Sequence, residues 1–353
     1  MIRRPPRSTQ SRSSAASDVY KRQAVRRRGF TPARAQAEAY APANIALCKY
    51  WGKRDPVLNL PMNGSVSVSL GPQGTFTRVR TAKRDALLLN GERLASDRPE
   101  FRRLSEYLDL FRGPDVPGFS VETWNTIPTA AGLASSASGY AALARALDGL
   151  FGWGLDLRSL SILARLGSGS AARSLSDGFV EWRRGRRADG SDSYAVRWPA
   201  EWPDLRIGLL VIEGGPKPVG SREGMRRTVE SSPLYAAWPA AARRDLAALR
   251  AAVLARDFDL LGRTAEANAL AMHATMLAAR PAVRYWRPDT VAVLDRVSEL
   301  RGQGVSVFAT LDAGPNVKLL YLAADERAVR QAFAGVLPVA PFAPYKKPAF
   351  GTL

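Results

Sequence analysis

Pro128-Thr129-Ala130-Ala131-Gly132-Leu133-Ala134-Ser135-Ser136-Ala137-Ser138-Gly139 leads into a helical stretch running to about Leu150. Side chains this small let successive backbone N–H groups approach an anion, and a helix N-terminus adds partial positive charge there. Ser135 and Ser136 bring hydroxyls suited to phosphate oxygens or a magnesium ion. The lysine of a G-x-x-x-x-G-K-[ST] loop is missing, so this is not that nucleotide-binding loop. An N-capped helix with small residues for tight packing has the same composition, and this stretch alone does not separate the two.

Upstream, Ala41–Leu70 reads as a short apolar strand, a turn at Lys53-Arg54-Asp55-Pro56 and a second strand. In that second strand, Ser65–Leu70, serine alternates with apolar residues, the period of a half-buried strand. Further short strands are expected near Phe76–Thr81, Ala86–Leu89 and Phe119–Thr123. Downstream come a helix at Leu157–Leu166 and strands at Gly178–Trp182, Tyr194–Trp198 and Ile207–Ile212. After Gly214-Gly215-Pro216 the chain turns to Ala, Leu and Arg, with helical periodicity over 238–279 broken at Pro281. Strands Val305–Thr310 and Val317–Leu322 and a helix at Asp325–Phe333 follow. Strands and helices mix without regular βαβ alternation, which points to α+β with two lobes divided near residue 215. The expected units are 38–215 and 216–345, with a tail at 346–353.

Composition narrows the chemistry. One cysteine and one histidine in 353 residues exclude a disulfide framework, a multi-cysteine metal cluster and any site needing two histidines. No uncharged apolar run reaches the roughly 18 residues a bilayer demands, so a soluble protein with no membrane partner is expected. The formal charge is +19, of which residues 1–37, with ten basic residues against Asp18, supply +9. That leader lacks an apolar core and an A-x-A site, so it is no secretory signal. It reads as a disordered or artefactual segment, Met1–Gln23 resembling translated adapter sequence. A transit peptide or nucleic-acid arm shares its composition, but no aromatic-plus-basic motif accompanies it, and no nucleic-acid partner is expected. The body's remaining charge suits either an anionic substrate or a solvated basic surface.

Three more clusters carry chemistry. Gly167-Ser168-Gly169-Ser170-Ala171-Ala172-Arg173-Ser174 is a small-residue loop ending in an arginine able to grip a carboxylate; it also suits a flexible connection. Asn44-Ile45-Ala46-Leu47-Cys48-Lys49-Tyr50-Trp51-Gly52-Lys53-Arg54 interleaves three cations with aromatics, as a polyphosphate site or a solvated strand end would. Leu311-Asp312-Ala313-Gly314-Pro315-Asn316 is turn-forming by propensity. Asp312 there is also placed to orient or deprotonate a hydroxyl. Cys48 reads as a core residue and His273 as packing or capping. Glu181 and Asp177 are weaker candidates for metal ligands.

Together and in this order, NIALCKYWGK (44–53), PTAAGLASSASG (128–139), GSGSAARS (167–174) and DAGPN (312–316) resemble the diphosphomevalonate decarboxylase family of the GHMP kinase superfamily. The resemblance runs from about Ala41 to about Leu322. It implies a two-lobed α+β fold with the active site in the cleft between lobes. It also implies a reaction taking ATP and (R)-5-diphosphomevalonate to isopentenyl diphosphate, CO2, ADP and phosphate. By resemblance, Asn44, Gly132, Ala134, Ser135 and Ser136 hold ATP, with Ser136 on Mg2+. Asp312, Lys49 and Arg173 are the catalytic set: Asp312 positions the 3-hydroxyl and Arg173 binds the substrate carboxylate. Tyr50, Lys53, Ser168, Gly169 and Ser170 contact substrate, as do Ser221, Arg222 and Met225 on a shorter match. A cytoplasmic homodimer is implied. Gly64 departs from the serine many members carry there, and the tail from Pro341 matches no motif. A relative acting on 5-phosphomevalonate, a mevalonate 3-kinase, a non-catalytic phospho-ligand binder and a nucleic-acid binder driven by the leader are the alternatives.

Overall fold

The computed structural model of the chain describes residues 29–113, 115–126, 135–215 and 217–346. It is α+β, as the sequence pattern indicates. One sheet is organised around β4 (Ser65–Ala82), which pairs antiparallel with β1 (Gln36–Cys48), β7 (Gly118–Asn125) and β8 (Phe179–Trp182). β5 (Ala86–Leu89) and β6 (Glu92–Arg93) extend it beyond β7, and β9 (Ala195–Arg197) beyond β8. A small hairpin joins β2 (Lys53–Asp55) to β3 (Leu60–Pro61).

The two strands expected at 65–70 and 76–81 are one strand interrupted by a bulge. Register with β1 shifts between Pro42 and Asn44, opposite Gly71-Pro72-Gln73-Gly74. Gly71 has φ of +59°, where an L side chain is strained. That local chemistry reads as a turn, although hydrogen bonding carries the strand through it. Ser65, Ser67 and Ser69 are buried as fully as the valines between them. The half-buried reading therefore fails, because the serine face packs under the Arg173 segment.

Among the described residues, three α-helices precede the division expected near residue 215 and five follow it. α1 (Pro99–Leu108) and α2 (Ser135–Phe151) precede α3 (Leu157–Gly167), whose start is capped by Asp156 accepting from the Ser159 N–H. α4 (Ser221–Ser231) and α5 (Trp238–Ala255) follow. The periodic stretch 238–279 is two helices: Arg256 turns left-handed at φ +55° and Asp257 caps α6 (Phe258–Leu277). α7 (Pro288–Gly302) and α8 (Glu326–Ala332) come last in the chain.

A second sheet has the order β11 (Val307–Leu311), β12 (Val317–Leu322), β10 (Leu205–Leu210), β13 (Leu337–Val339). β10 lies ahead of residue 215 yet pairs with β12 and β13. One buried cluster joins Ile45 and Leu47 of β1, Val66 of β4, Leu249 of α5, Leu261 of α6 and Leu320 of β12. This shared core fixes the end of β1 against the end of β11.

The expected leader overlaps the fold at its last residues. Phe30 stacks edge-on with Phe151 and Trp153, and the Trp153 indole donates to the Gly29 carbonyl at 3.0 Å. Its aromatic ring completes an apolar cluster, which is why a segment read as basic and unstructured is held there. Residues 1–28 and 347–353 lie outside the described residues.

Candidate active site

Lys49 follows directly on β1 and Asp312 directly on β11, so the packing of these two strands through the shared core brings them together. The Lys49 Nζ donates to Asp312 Oδ1 at 2.8 Å and to the Ala46 carbonyl at 2.8 Å. Lys318, the second residue of β12, stands across the β11–β12 turn with its Nζ 3.5 Å from Asp312 Oδ2. Burial by itself raises the Asp312 pKa, but Lys49 and Lys318 outweigh it and hold the carboxyl well below the usual range. Burial pulls Lys49 down, and Asp312 offsets only part of that. Asp312 is therefore a fixed anion at neutral pH, with a third of its side chain exposed.

Both loops are held by side chains from elsewhere. Asn268 of α6 accepts from the Lys49 N–H at 2.7 Å, and Asn63 donates to the Lys49 carbonyl at 2.8 Å. Asn316 accepts from the Ile212 and Glu213 N–H groups, and Thr290 donates to the Pro315 carbonyl at 2.9 Å. Gly52 must be glycine: its φ is +96° and an added Cβ would lie 1.7 Å from the Tyr235 hydroxyl. That hydroxyl donates to the Trp51 carbonyl at 3.0 Å.

Lys49 and Asp312 line a cavity of about 570 Å3. Arg173, Tyr50, Lys53, Ser168, Gly169, Ser170, Ser221, Arg222, Met225 and Ser136 share its wall. Arg173 is buried yet makes no ion pair among the described residues; its guanidinium donates to Ser65 and Ser67 of β4 and, at 3.4 Å, to Asn44 Oδ1. Burial pushes it down to about 10, still charged at neutral pH. Lys53 donates to Asn59 Oδ1 at 2.6 Å, and burial followed by Arg222 pushes it down to about 8. Arg222 donates to the Gly167 carbonyl at 2.8 Å. The Tyr50 ring lies on Gly169, where a Cβ would come within 2.8 Å of it, and its buried hydroxyl has no hydrogen-bond partner among the described residues. Arg173, Lys53 and Arg222 line the cavity without a carboxylate partner among the described residues, which is how a protein presents itself to a polyanion.

Other expected residues fall elsewhere. Asn44 does not line the cavity; its amide is occupied by Arg173 and by Ser174, to which it donates at 2.7 Å. Of the serine-rich helix start, Ser136 lines the cavity, whereas Ser138 is buried against Thr75 at 2.6 Å. Gly132 and Ala134 lie outside the described residues, as does the side chain of Ser135. Glu181 accepts from the Trp198 indole at 2.9 Å and pairs with Arg250, while Asp177 accepts from Tyr345 at 2.8 Å. Neither faces the cavity, and among the described residues no group of three His, Cys, Asp or Glu gathers to hold a metal. Cys48 is fully buried, its thiol against the Ala242 carbonyl. Sequence reasoning missed Lys318, although a lysine inside the apolar run Val317–Leu322 was the signal available. It also missed Asn59, which offers no local signal.

The fold and the cavity have solved counterparts. A mevalonate diphosphate decarboxylase from Staphylococcus aureus is similar with a TM-score of 0.81 at 39% identity, covering 86% of this chain and 95% of that one. The complex of MDDEF with MVAPP, AMPPCP and magnesium gives 0.81 at 38%, covering 87% and 97%. The architecture is that of the GHMP kinase superfamily. Residues 41–195 match the diphosphomevalonate decarboxylase-like N-terminal domain and 207–346 the mevalonate 5-diphosphate decarboxylase C-terminal domain. The diphosphomevalonate decarboxylase of Eremothecium gossypii is 39% identical over 313 residues, 82% of this chain and 78% of that protein. The chain belongs to the diphosphomevalonate decarboxylase family.

Proposed function

We propose that this protein is an ATP-dependent decarboxylase of (R)-5-diphosphomevalonate, yielding isopentenyl diphosphate, CO2, ADP and phosphate. One observation carries the reading: an ionised Asp312 shares a cavity with Arg173, Lys53 and Arg222, cations that form no ion pair with a carboxylate among the described residues. Family membership supports it.

The residues divide the work by charge. Asp312 accepts a hydrogen bond from the tertiary 3-hydroxyl and aims its oxygen at the terminal phosphorus of ATP. Because Lys49 and Lys318 keep this carboxylate a weak base, orientation is its main task, and it takes the hydroxyl proton only late, once the oxygen carries the forming O–P bond, as suits a loose phosphoryl-transfer transition state. Lys49 neutralises charge growing on the transferred group. The new O–P bond forms as the bond from phosphorus to the departing ADP oxygen breaks. The 3-phosphate then departs with the C3–O electron pair. The C1–C2 pair becomes the C2–C3 double bond as CO2 leaves. Arg173 holds the substrate carboxylate ionised and aligned for that step. Lys53, Arg222, Ser168, Gly169 and Ser170 receive the diphosphate, with Tyr50 offering its unpartnered hydroxyl. Ser221 and Met225, one turn apart on α4, complete that end of the wall. Tyr50 and Trp51 exclude water from the electron-deficient carbon.

ATP phosphates would be held at the start of α2, by its helix N-terminus and the Ser136 hydroxyl on the cavity wall. Magnesium bound with ATP supplies charge neutralisation. Ser136, on the cavity wall, would be the protein side chain that holds it. We place the division between two domains ahead of β10, supported by its pairing and by matches that end at 195 and resume at 207. A cytoplasmic homodimer is the proposed state, measurable by sedimentation.

Incubation with MgATP and mevalonate, its 5-phosphate or its 5-diphosphate in parallel tests the substrate. The diphosphate is expected to react with far higher kcat/KM. Equal or better turnover of the monophosphate contradicts the diphosphate assignment.

A further inference from the structure

The lone histidine is not among the residues assigned to substrate contact, yet it touches the backbone of the residue whose carboxylate the reaction turns on. His273 is buried on α6, and its Nε2 lies 3.1 Å from the Asp312 main-chain carbonyl oxygen. A carbonyl oxygen only accepts, so the ring must carry its proton on Nε2. Five residues earlier on the same helix, Asn268 accepts from the Lys49 N–H at 2.7 Å. One rigid helix thus grips the backbone at both ends of the Lys49–Asp312 pair. The imidazole is itself wedged between Trp286, with ring centroids 5.4 Å apart, and Tyr285, edge-on at 6.4 Å. The charged groups near it, Lys49, Lys318 and Asp312, come from other elements.

We propose that His273 is a positioning residue: as a neutral imidazole protonated on Nε2, it fixes the Asp312 loop through the main-chain carbonyl and so sets where the carboxylate meets the substrate hydroxyl. The proposal rests on the decarboxylase reading for its catalytic consequence, but the hydrogen bond is a property of the resting protein. Burial, aided by the Lys49 charge and opposed by the backbone contact to Asp312, pushes the ring down to about 4, so it stays neutral through the working range. Its side chain reaches no substrate; it acts through the loop.

Because the chain holds a single histidine, imidazole nitrogen NMR of the whole protein reports this ring alone. The expected spectrum at neutral pH is the Nε2–H tautomer. An Nδ1–H tautomer, or an imidazolium at neutral pH, overturns the proposal without reference to activity. In the second arm, His273→Ala is expected to lower kcat about ten- to hundredfold, the scale of one lost buried hydrogen bond. Dissociation constants for an ATP analogue and for diphosphomevalonate should move by less than about threefold. His273→Gln, whose amide nitrogen also donates, should recover most of the loss. Unchanged kcat in His273→Ala, or equal loss of kcat and binding in both variants, overturns the proposal. Wild-type turnover is the separate control on the decarboxylase reading itself.

Discussion

Lys49 and Asp312 are separated by 263 residues along the chain and by 2.8 Å in space. Neither belongs to a loop that defines its own position: Lys49 is set by Asn268 and Asn63, and the Asp312 loop by His273, Thr290 and Asn316. The charge of the carboxylate is in turn fixed by Lys49 and by Lys318. Placement and ionisation of the reacting group are thus both products of tertiary packing.

Asp312→Asn keeps the shape of the side chain and removes its charge. Turnover should fall by about three orders of magnitude or more, the range for losing an oriented electrostatic contact in the reaction step. Affinity for an ATP analogue should change little. Steady-state kinetics with calorimetric nucleotide binding reads both, and near-normal turnover removes Asp312 from the mechanism.

Arg173 and Asn44 form a graded pair. Arg173→Gln should raise KM for the substrate about a hundredfold by deleting a charge-assisted carboxylate contact. Asn44→Ala, which only loosens the guanidinium through a 3.4 Å bond, should move KM the same way by less. An Asn44→Ala effect confined to the KM of ATP would instead assign Asn44 to the nucleotide.

Lys53 gives the site a pH dependence on the alkaline side. Burial and Arg222 lower its pKa to about 8, so the neutral form prevails above that value and KM for the diphosphate should climb as pH passes through it. Lys53→Met should have a high KM that is flat across the same window. The same shift makes the empty protein bind fewer protons than the unfolded chain between about 8 and the ordinary lysine value of 10.5, so stability from this group rises with pH there.

Gly52→Ala should destabilise the protein by more than about 2 kcal/mol, since it combines a left-handed φ with a clash against Tyr235. Chemical denaturation measures it. Tyr235→Ala added to Gly52→Ala should restore only part, because the backbone strain remains.

The legibility of the site followed the contiguity of its chemistry. Asn44–Lys53, Gly167–Ser174 and Asp312–Asn316 each put several reactive side chains into one short run, so residue type and order carried the signal. Lys318 gained its place from strand pairing, which sets it opposite Thr310, and no local pattern encodes that. Ser65 and Ser67 were read for their period of two, which says that alternate residues face opposite ways but not what covers each face. β4 was divided in two because Gly71–Gly74 has the composition of a turn. The helices α1, α4 and α7 went unread: α4 is mostly polar, and α7 opens on Pro288, a residue that punctuates loops and first helical turns alike.

The most direct measurement of the central claim is the stoichiometry of ADP and CO2 released from (R)-5-diphosphomevalonate with MgATP. The account requires equal amounts of the two products at every time point, and no CO2 when ATP is withheld. ADP formed without CO2, or CO2 released without nucleotide, would contradict it.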